Sequence, residues 1–257
     1  MTTKQDEFNE RRFDVACRLA DRAGVTTAMI TGKGEPTLYP ERLMTYAQLL
    51  SDRFPLVELQ TNGIRLHDLD EVTMQVLAHN LTTVAISVTH WEDDKNQMIY
   101  TPGRKYPPLV DLIHNLHDRG LSIRLNCIMT KGLVDGLDND VNGMIQFCRD
   151  NAVEQLTLMP VSMPSCHKTS RIREWVEYQQ LPKGRIDALR ERLECTGTIL
   201  MTLAHGAVVF DIDGQNVCLS NCLQPQNIND KSLIRNLIYY PDGHLRYDWD
   251  HAGAILL

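Results

Sequence analysis

The stretch Thr27-Ala-Met-Ile-Thr-Gly-Lys-Gly-Glu-Pro-Thr-Leu38 decides how the rest of the chain is read. Ala28, Met29 and Ile30 form a short apolar run, the pattern of a strand covered on both faces. The run stops at Gly32 and Gly34, which lack the Cβ atoms that would keep a ligand away from the backbone. Glu35 follows. Pro36 fixes its own φ and restricts the residue before it to an extended conformation, so the carboxylate is presented on a stiff loop rather than on a helix. A carboxylate beside exposed backbone amides suits an ammonium group better than a phosphate. A phosphate-binding loop would also place a hydroxyl residue after its lysine, whereas Lys33 is followed by the second glycine.

Outward from this strand the chain alternates. Hydrophobic periodicity predicts helices near 7–23, 41–53, 69–79, 107–119, 139–151 and 184–194, and strands near 26–31, 56–61, 82–88, 121–129 and 154–161. Asp68 reads as an N-cap, Gly120 as a C-cap, and Pro107-Pro108 sits at a helix start where a missing N–H costs little. Strands separated by helices pair in parallel through right-handed crossovers, so their C-terminal ends open onto one face. Gly32 to Glu35, Thr61 to Gly63, Ser87 and Asn126 all fall near those ends, where α/β barrels and open sheets bind ligands.

Residues 162–183 read as a long connection. After Thr196 the character changes. Val208 to Leu219 and Leu237 to Asp248 each place an Asp-Gly pair between β-rich flanks, the signature of a hairpin. This tail reads as a β appendage on one end of the barrel, with Tyr239, Tyr240, Tyr247 and Trp249 packing rather than reading bases.

Four segments in order carry a resemblance. Gly32-Lys-Gly-Glu-Pro36 is similar to the Gly-Gly-Glu-Pro loop of the radical S-adenosylmethionine (SAM) superfamily. Leu59-Gln-Thr-Asn-Gly63, Ala85-Ile-Ser-Val-Thr89 and Ile123 to Gly132 resemble that superfamily's next three strand ends. The resemblance spans roughly residues 10–160 and implies a partial (β/α)6-type barrel of parallel strands. It also implies SAM and a [4Fe-4S] cluster as cofactors: the reduced cluster cleaves SAM to a 5′-deoxyadenosyl radical that takes hydrogen from a substrate. On it, Gly32, Gly34, Glu35 and Pro36 hold the SAM amino group, Ser87 and Asn126 approach the ribose and carboxylate, and Thr61 and Asn62 line the adjacent side. Arg124 either offers a cation to a carboxylate or points outward into a salt bridge. His90 either touches substrate or belongs, with Trp91 to Asp94, to an acidic helix start; Asn96 and Ile99 match the superfamily's loop loosely.

One departure stands beside the match. The Cys-x3-Cys-x2-Cys loop that holds the cluster is missing upstream of Gly32, where Cys17 is the sole cysteine of an amphipathic helix. The expectation is an N-terminally shortened barrel over 1–195 with a β-hairpin extension over 196–257. Either the chain is a radical-SAM-type enzyme or fragment whose cluster loop is missing or supplied by a partner chain, or it is a non-catalytic SAM- or substrate-binding protein. The substrate is a small molecule or a peptide.

Composition sets outer bounds. Seven cysteines without a framework spacing fit a reducing compartment. Cys17, Cys127 and Cys148 fall in apolar segments and read as core. Cys218 and Cys222 form a Cys-x3-Cys pair whose third cluster position is Pro225; with Cys166 and Cys195 they either make an auxiliary iron–sulfur site or are packed thiols on a hairpin. His114 and His117 share a helical face without a further ligand. The net charge of −7 argues against nucleic acid as a dominant partner, although Lys168, Arg171 and Arg173 form a local basic patch. No stretch approaches a membrane span, and the polar, acidic N-terminus is unlike a signal peptide, so a cytoplasmic location is expected.

Overall fold

The computed structural model describes residues 8–32, 34–131, 137–163, 170–203, 206–220, 234, 236–249 and 251–257. The predicted alternation is present. Helix α1 (Glu10–Arg22) leads into β1 (Thr27–Ile30), and α2 (Pro40–Ser51), β2 (Leu56–Thr61), α3 (Glu71–Asn80) and β3 (Thr83–Val88) follow. Then come α4 (Asp93–Tyr100), α5 (Leu109–His117), β4 (Ser122–Met129), α6 (Leu137–Asp150) and β5 (Gln155–Pro160). Helices α7 (Ser170–Gln179) and α8 (Lys183–Thr196) precede β6 (Thr198–Thr202), β7 (Val208–Ile212) and β8 (Gln215–Leu219), with β9 (Ile238–Tyr239) and β10 (Leu245–Arg246) last.

Eight strands form one sheet in the order β1-β2-β3-β4-β5-β8-β7-β6. β1 to β5 are parallel neighbours in sequence order, and β8 joins β5 in parallel. One face is apolar: Leu59, Ile86, Leu125 and Leu158 are completely buried in one cluster with helix residues such as Leu43, Ile113 and Met144. The opposite, inner face is polar, because the strands alternate. Register aligns Gln60, Ala85, Arg124, Gln155 and Asn216 in one row, and Ser87, Asn126, Thr157 and Cys218 in the next row toward the strand C-terminal ends.

Several expectations are corrected. β1 is an edge strand whose burial alternates, and Met29 is 45% exposed, so the run is covered on one face rather than two. The N-cap of α3 is Asp70, which accepts from the Thr73 N–H and hydroxyl at 2.9 Å each; Asp68 instead ends a short 3-10 turn. The stretch 162–183 contains α7, hidden from periodicity because Val176 is the sole buried residue of 171–178. Strand β6 was also not anticipated: all five of its residues are exposed.

The tail reaches the barrel twice. The β7–β8 hairpin turns at Asp213 and Gly214, both at positive φ (50° and 87°), the type I′ geometry that Asp-Gly favours, and β8 extends the sheet at β5. The β9–β10 hairpin forms a separate two-stranded sheet around Asp242-Gly243. Tyr239 there stacks edge-on against Phe13 with centroids 5.3 Å apart, and its hydroxyl donates to the Asn9 carbonyl at 3.1 Å. Tyr240 packs near Trp249, whereas Tyr247 is 46% exposed. Cys17, Cys127 and Cys148 are buried, and burial pushes the Cys127 thiol up to about 12. Among the described residues no helix is long and apolar enough to cross a membrane.

Candidate functional site

The loop after β1 is built around Glu35. Its Oε1 accepts from the Thr37 N–H (3.1 Å), the Thr37 hydroxyl (2.8 Å) and the Thr61 hydroxyl (2.7 Å), and its Oε2 accepts from the Asn62 N–H (2.9 Å). Thr37 and Thr61 are almost fully buried. The carboxylate therefore staples the glycine loop to the end of β2, where the sequence reading had it facing a ligand. Gly32 and Gly34 are exposed, and a Cβ at Gly34 would meet nothing within 4 Å, so the backbone there is approachable. Lys33 lies outside the described residues.

Beyond Thr61 the chain turns sharply. The Asn62 side chain accepts from the Ile64 N–H at 3.0 Å, and Gly63 takes φ +75°. A Cβ at Gly63 would lie 2.9 Å from Leu112 and 3.1 Å from Ile86, so position 63 demands glycine both by conformation and by space.

Ser87 and Asn126 are adjacent across β3 and β4 on the inner face. Asn126 is only 5% exposed, and its amide makes no hydrogen bond to the described residues. Thr130 and Ser220, 5% and 7% exposed, are buried side chains of the same kind at the ends of β4 and β8. These neutral polar side chains near the C-terminal ends of β4 and β8 are of the type that meets the polar groups of a ligand.

One row deeper, Arg124 donates from Nη1 to Glu58 Oε2 at 2.7 Å and from Nε to Gln155 Oε1 at 2.9 Å. Gln60 links Glu58 (3.4 Å) to the Thr31 hydroxyl (3.1 Å). The cation thus points inward, into a buried ion pair rather than out to solvent. Burial pushes Glu58, 2% exposed, above the usual carboxylate range, while Arg124 and then Gln60 pull it back. This pair was not anticipated. Its signal is in the sequence, however: Val57-Glu-Leu59 and Ile123-Arg-Leu125 each set one charge inside an apolar strand.

The loop after β3 is closed by Asn96, whose Oδ1 accepts from the backbone N–H groups of Thr89 (2.8 Å) and His90 (3.2 Å), and whose amide donates to the His90 carbonyl. His90 is 1% exposed, accepts from the Glu92 N–H at 3.0 Å, and stacks on Trp91 at 3.8 Å. It is an internal brace, and α4 begins three residues later.

Cys218 stands beside Thr157 on β8. Burial pushes its thiol up, partly offset by Arg124. Cys166 and Cys222 lie outside the described residues, and Cys195 is exposed. Among the described residues no three His, Cys, Asp or Glu side chains stand together as a metal site. His117 pairs with Glu154 at 3.3 Å. A cleft of about 590 Å³ lies elsewhere, in the helix layer, lined by Leu66, Met74, Tyr106, Leu112 and Arg119. Tyr106, which lines it, and Tyr100 have buried hydroxyls without a hydrogen-bond partner among the described residues. The candidate site is placed at the strand ends, where the approachable glycine loop, Ser87 and Asn126 lie.

A parallel sheet with helices on one face, a polar inner face and an open glycine loop at the first strand end is the partial barrel of the radical SAM superfamily, and the chain has that fold. Among solved structures it is similar to SuiB from Streptococcus suis, with a TM-score of 0.52 and 18% identity over 90% of this chain and 47% of that one. It is also similar to anSMEcpe with bound AdoMet and Cp18Cys peptide (TM-score 0.50, 17% identity, 72% of this chain and 52% of that one). Methylornithine synthase (PylB) is comparable, with a TM-score of 0.50 and 14% identity over 71% and 52% of the two chains. The chain spans about half the length of these structures. No family model matches the sequence, and no curated protein is significantly similar to it.

Proposed function

We propose that this chain binds SAM at the mouth of its partial barrel and serves SAM-dependent radical chemistry on a small-molecule or peptide substrate. The observation that carries this reading is the strand-end face itself: an approachable backbone at Gly32 and Gly34, with Ser87 and the 5% exposed Asn126 side by side on β3 and β4 as neutral polar groups suited to a ligand's hydroxyl or carboxylate. The structural neighbour anSMEcpe, solved with AdoMet bound, supports the choice of ligand.

In this reading the open backbone at Gly32 and Gly34 receives the ammonium, and Glu35, Pro36 and Thr61 fix that loop. Asn62 lines the adjacent side, Ser87 and Asn126 reach the ribose and carboxylate, and Arg124 with Glu58 forms a neutral floor. Bound SAM supplies a sulfonium that reduction converts to a source of the 5′-deoxyadenosyl radical. The chain's own part is to bind, orient and exclude water.

The superfamily's SAM-chelating [4Fe-4S] cluster does not fit the described residues. The sequence has no Cys-x3-Cys-x2-Cys, and the described residues hold no group of three ligating side chains. The proposed source of the cluster loop is either a segment beyond these 257 residues or a partner chain. Either source is compatible with β1, which pairs with β2 alone among the described residues and leaves its outer edge, next to the glycine loop, without a strand partner there. The second reading, a SAM- or substrate-binding protein without catalysis, is favoured by the same missing cysteines.

Calorimetric titration with SAM tests binding. Without a cluster to chelate the ligand, affinity should be weak, with Kd roughly 0.1–1 mM, and about tenfold weaker in Asn126→Ala. No binding by the wild-type chain would sink the proposal. Anaerobic reconstitution with iron, sulfide and dithionite separates the two readings. The chain alone should yield no 5′-deoxyadenosine in either; yield on adding a cluster-bearing partner selects the enzyme.

A further inference from the structure

The inner face carries more than the SAM reading uses. On β1 to β5 and β8 its charged side chains among the described residues are Glu58 and Arg124, and they neutralise each other at 2.7 Å. What remains are neutral donors and acceptors: Thr157, Asn216 and Cys218 in the rows, with Thr130 and Ser220 at the strand ends. To the carboxylate or phosphate of a metabolite this floor offers no unpaired cation. Backbone amides need only neutral partners.

A second observation lies at the rim. Ile172, Trp175 and Tyr178 are 45%, 43% and 68% exposed and recur every three residues along α7, with Arg171 one turn before Trp175. Arg171 is exposed and makes no ion pair among the described residues. Lys131, the residue after Thr130, ties this helix to the strand ends: its N–H donates to Gln179 at 3.2 Å and its ammonium lies 5.2 Å from the Tyr178 ring. Through Lys131 the stripe is joined to the C-terminal end of β4.

Resting on the proposed function, we propose that the substrate is a polypeptide. A neutral side chain of an extended segment enters over β5 and β8, while flanking apolar residues lie on α7 and an acidic neighbour meets Arg171. A small neutral metabolite would account for the floor but would leave the α7 stripe without a role.

The test uses a phage-displayed library of random dodecapeptides panned against the purified full chain, followed by fluorescence anisotropy with the selected peptides synthesised in blocked, labelled form. Selected sequences should combine aromatic or aliphatic residues with an acidic one, and should bind the Trp175→Ala/Tyr178→Ala chain at least tenfold more weakly. Both positions are surface positions, and circular dichroism of the variant checks that the fold is kept. Ser220→Val should weaken binding separately. No enrichment overturns the proposal, as does equal binding to the α7 double variant. A neutral nucleoside or sugar that binds tightly and is lost in Ser220→Val but not in the α7 variant also overturns it. SAM titration of the wild-type chain is run in parallel: peptide binding without SAM binding would reject the proposed function, whereas SAM binding without peptide selection would reject this inference alone.

Discussion

Replacing Glu35 by alanine tests whether the carboxylate is a staple or a ligand-binding group. The side chain receives four hydrogen bonds, from the Thr37 N–H and hydroxyl, the Thr61 hydroxyl and the Asn62 N–H, at 2.7 to 3.1 Å. A bond to a charged acceptor contributes about 1.5–3 kcal/mol, but four bonds to one half-buried carboxylate are not additive, and about 1 kcal/mol each is the appropriate scale. Thr37 and Thr61 are 2% and 3% exposed, so their hydroxyls cannot turn to water when the acceptor is removed. The loss is then about 3–4 kcal/mol. For a chain of this size each kcal/mol moves Tm by about 2–4 °C, which gives a fall of roughly 6–16 °C in thermal denaturation followed by circular dichroism. Glu35→Gln keeps one oxygen for the threonine donors and sets an amide against the Asn62 N–H, so it should lose about a third of that. A Glu35→Ala protein melting within about 2 °C of wild type would refute the staple, and selective loss of SAM binding at unchanged Tm would return Glu35 to the role the sequence reading gave it.

Three further outcomes are expected. Because burial raises Glu58 above its ordinary value of 4.5, the folded state holds an extra proton between that pH and the raised value, so the contribution of Glu58 is full below this window and lost as pH rises through it. Urea denaturation from pH 4.5 to 7.5 should show wild-type stability falling relative to Glu58→Gln, and a constant difference would contradict the assignment. Gly143→Ala adds a Cβ at 2.5 to 3.0 Å from three atoms of the Trp91 ring, so a substitution worth about 1 kcal/mol of helix propensity should instead destabilise by about 1–2 kcal/mol and shift Trp91 emission. Deleting residues 206–257 removes β8 from the β5 edge and Tyr239 from Phe13, so the remainder should bind hydrophobic dye and melt without cooperativity; an unchanged, monomeric melt would mark the tail as dispensable.

The strands were legible because each is an apolar run of natural length between turn residues: β2 was expected at 56–61 and spans Leu56–Thr61. The β7–β8 turn was legible because Asp-Gly supplies two positive φ values in succession. What was not legible depended on pairing distant in sequence. Nothing local to β8 shows that it lies parallel to β5, so the extension of the inner face by Asn216 and Cys218 could not be read. Helix α7 failed the periodicity test because it is almost entirely exposed. At the site, the residue types were readable and their engagements were not. Glu35 was found, but its partners Thr61 and Asn62 lie 26 and 27 positions away. Arg124 was found as one of two possibilities, and choosing between them required Glu58 on a strand two places across the sheet.

The contact between Tyr239 and the start of α1 has a consequence for synthesis. The Tyr239 hydroxyl meets the carbonyl of Asn9, 230 positions earlier, and its ring covers Phe13. At about 5–20 residues per second, a ribosome needs on the order of 10–45 s to travel that distance. Throughout that interval Phe8 and Phe13 lack the aromatic partner that covers them in the finished protein, although α2 can already supply Tyr46. Helix α1 is thus fully covered only long after it is made, and it presents an apolar patch while the 230 residues after Asn9 are added.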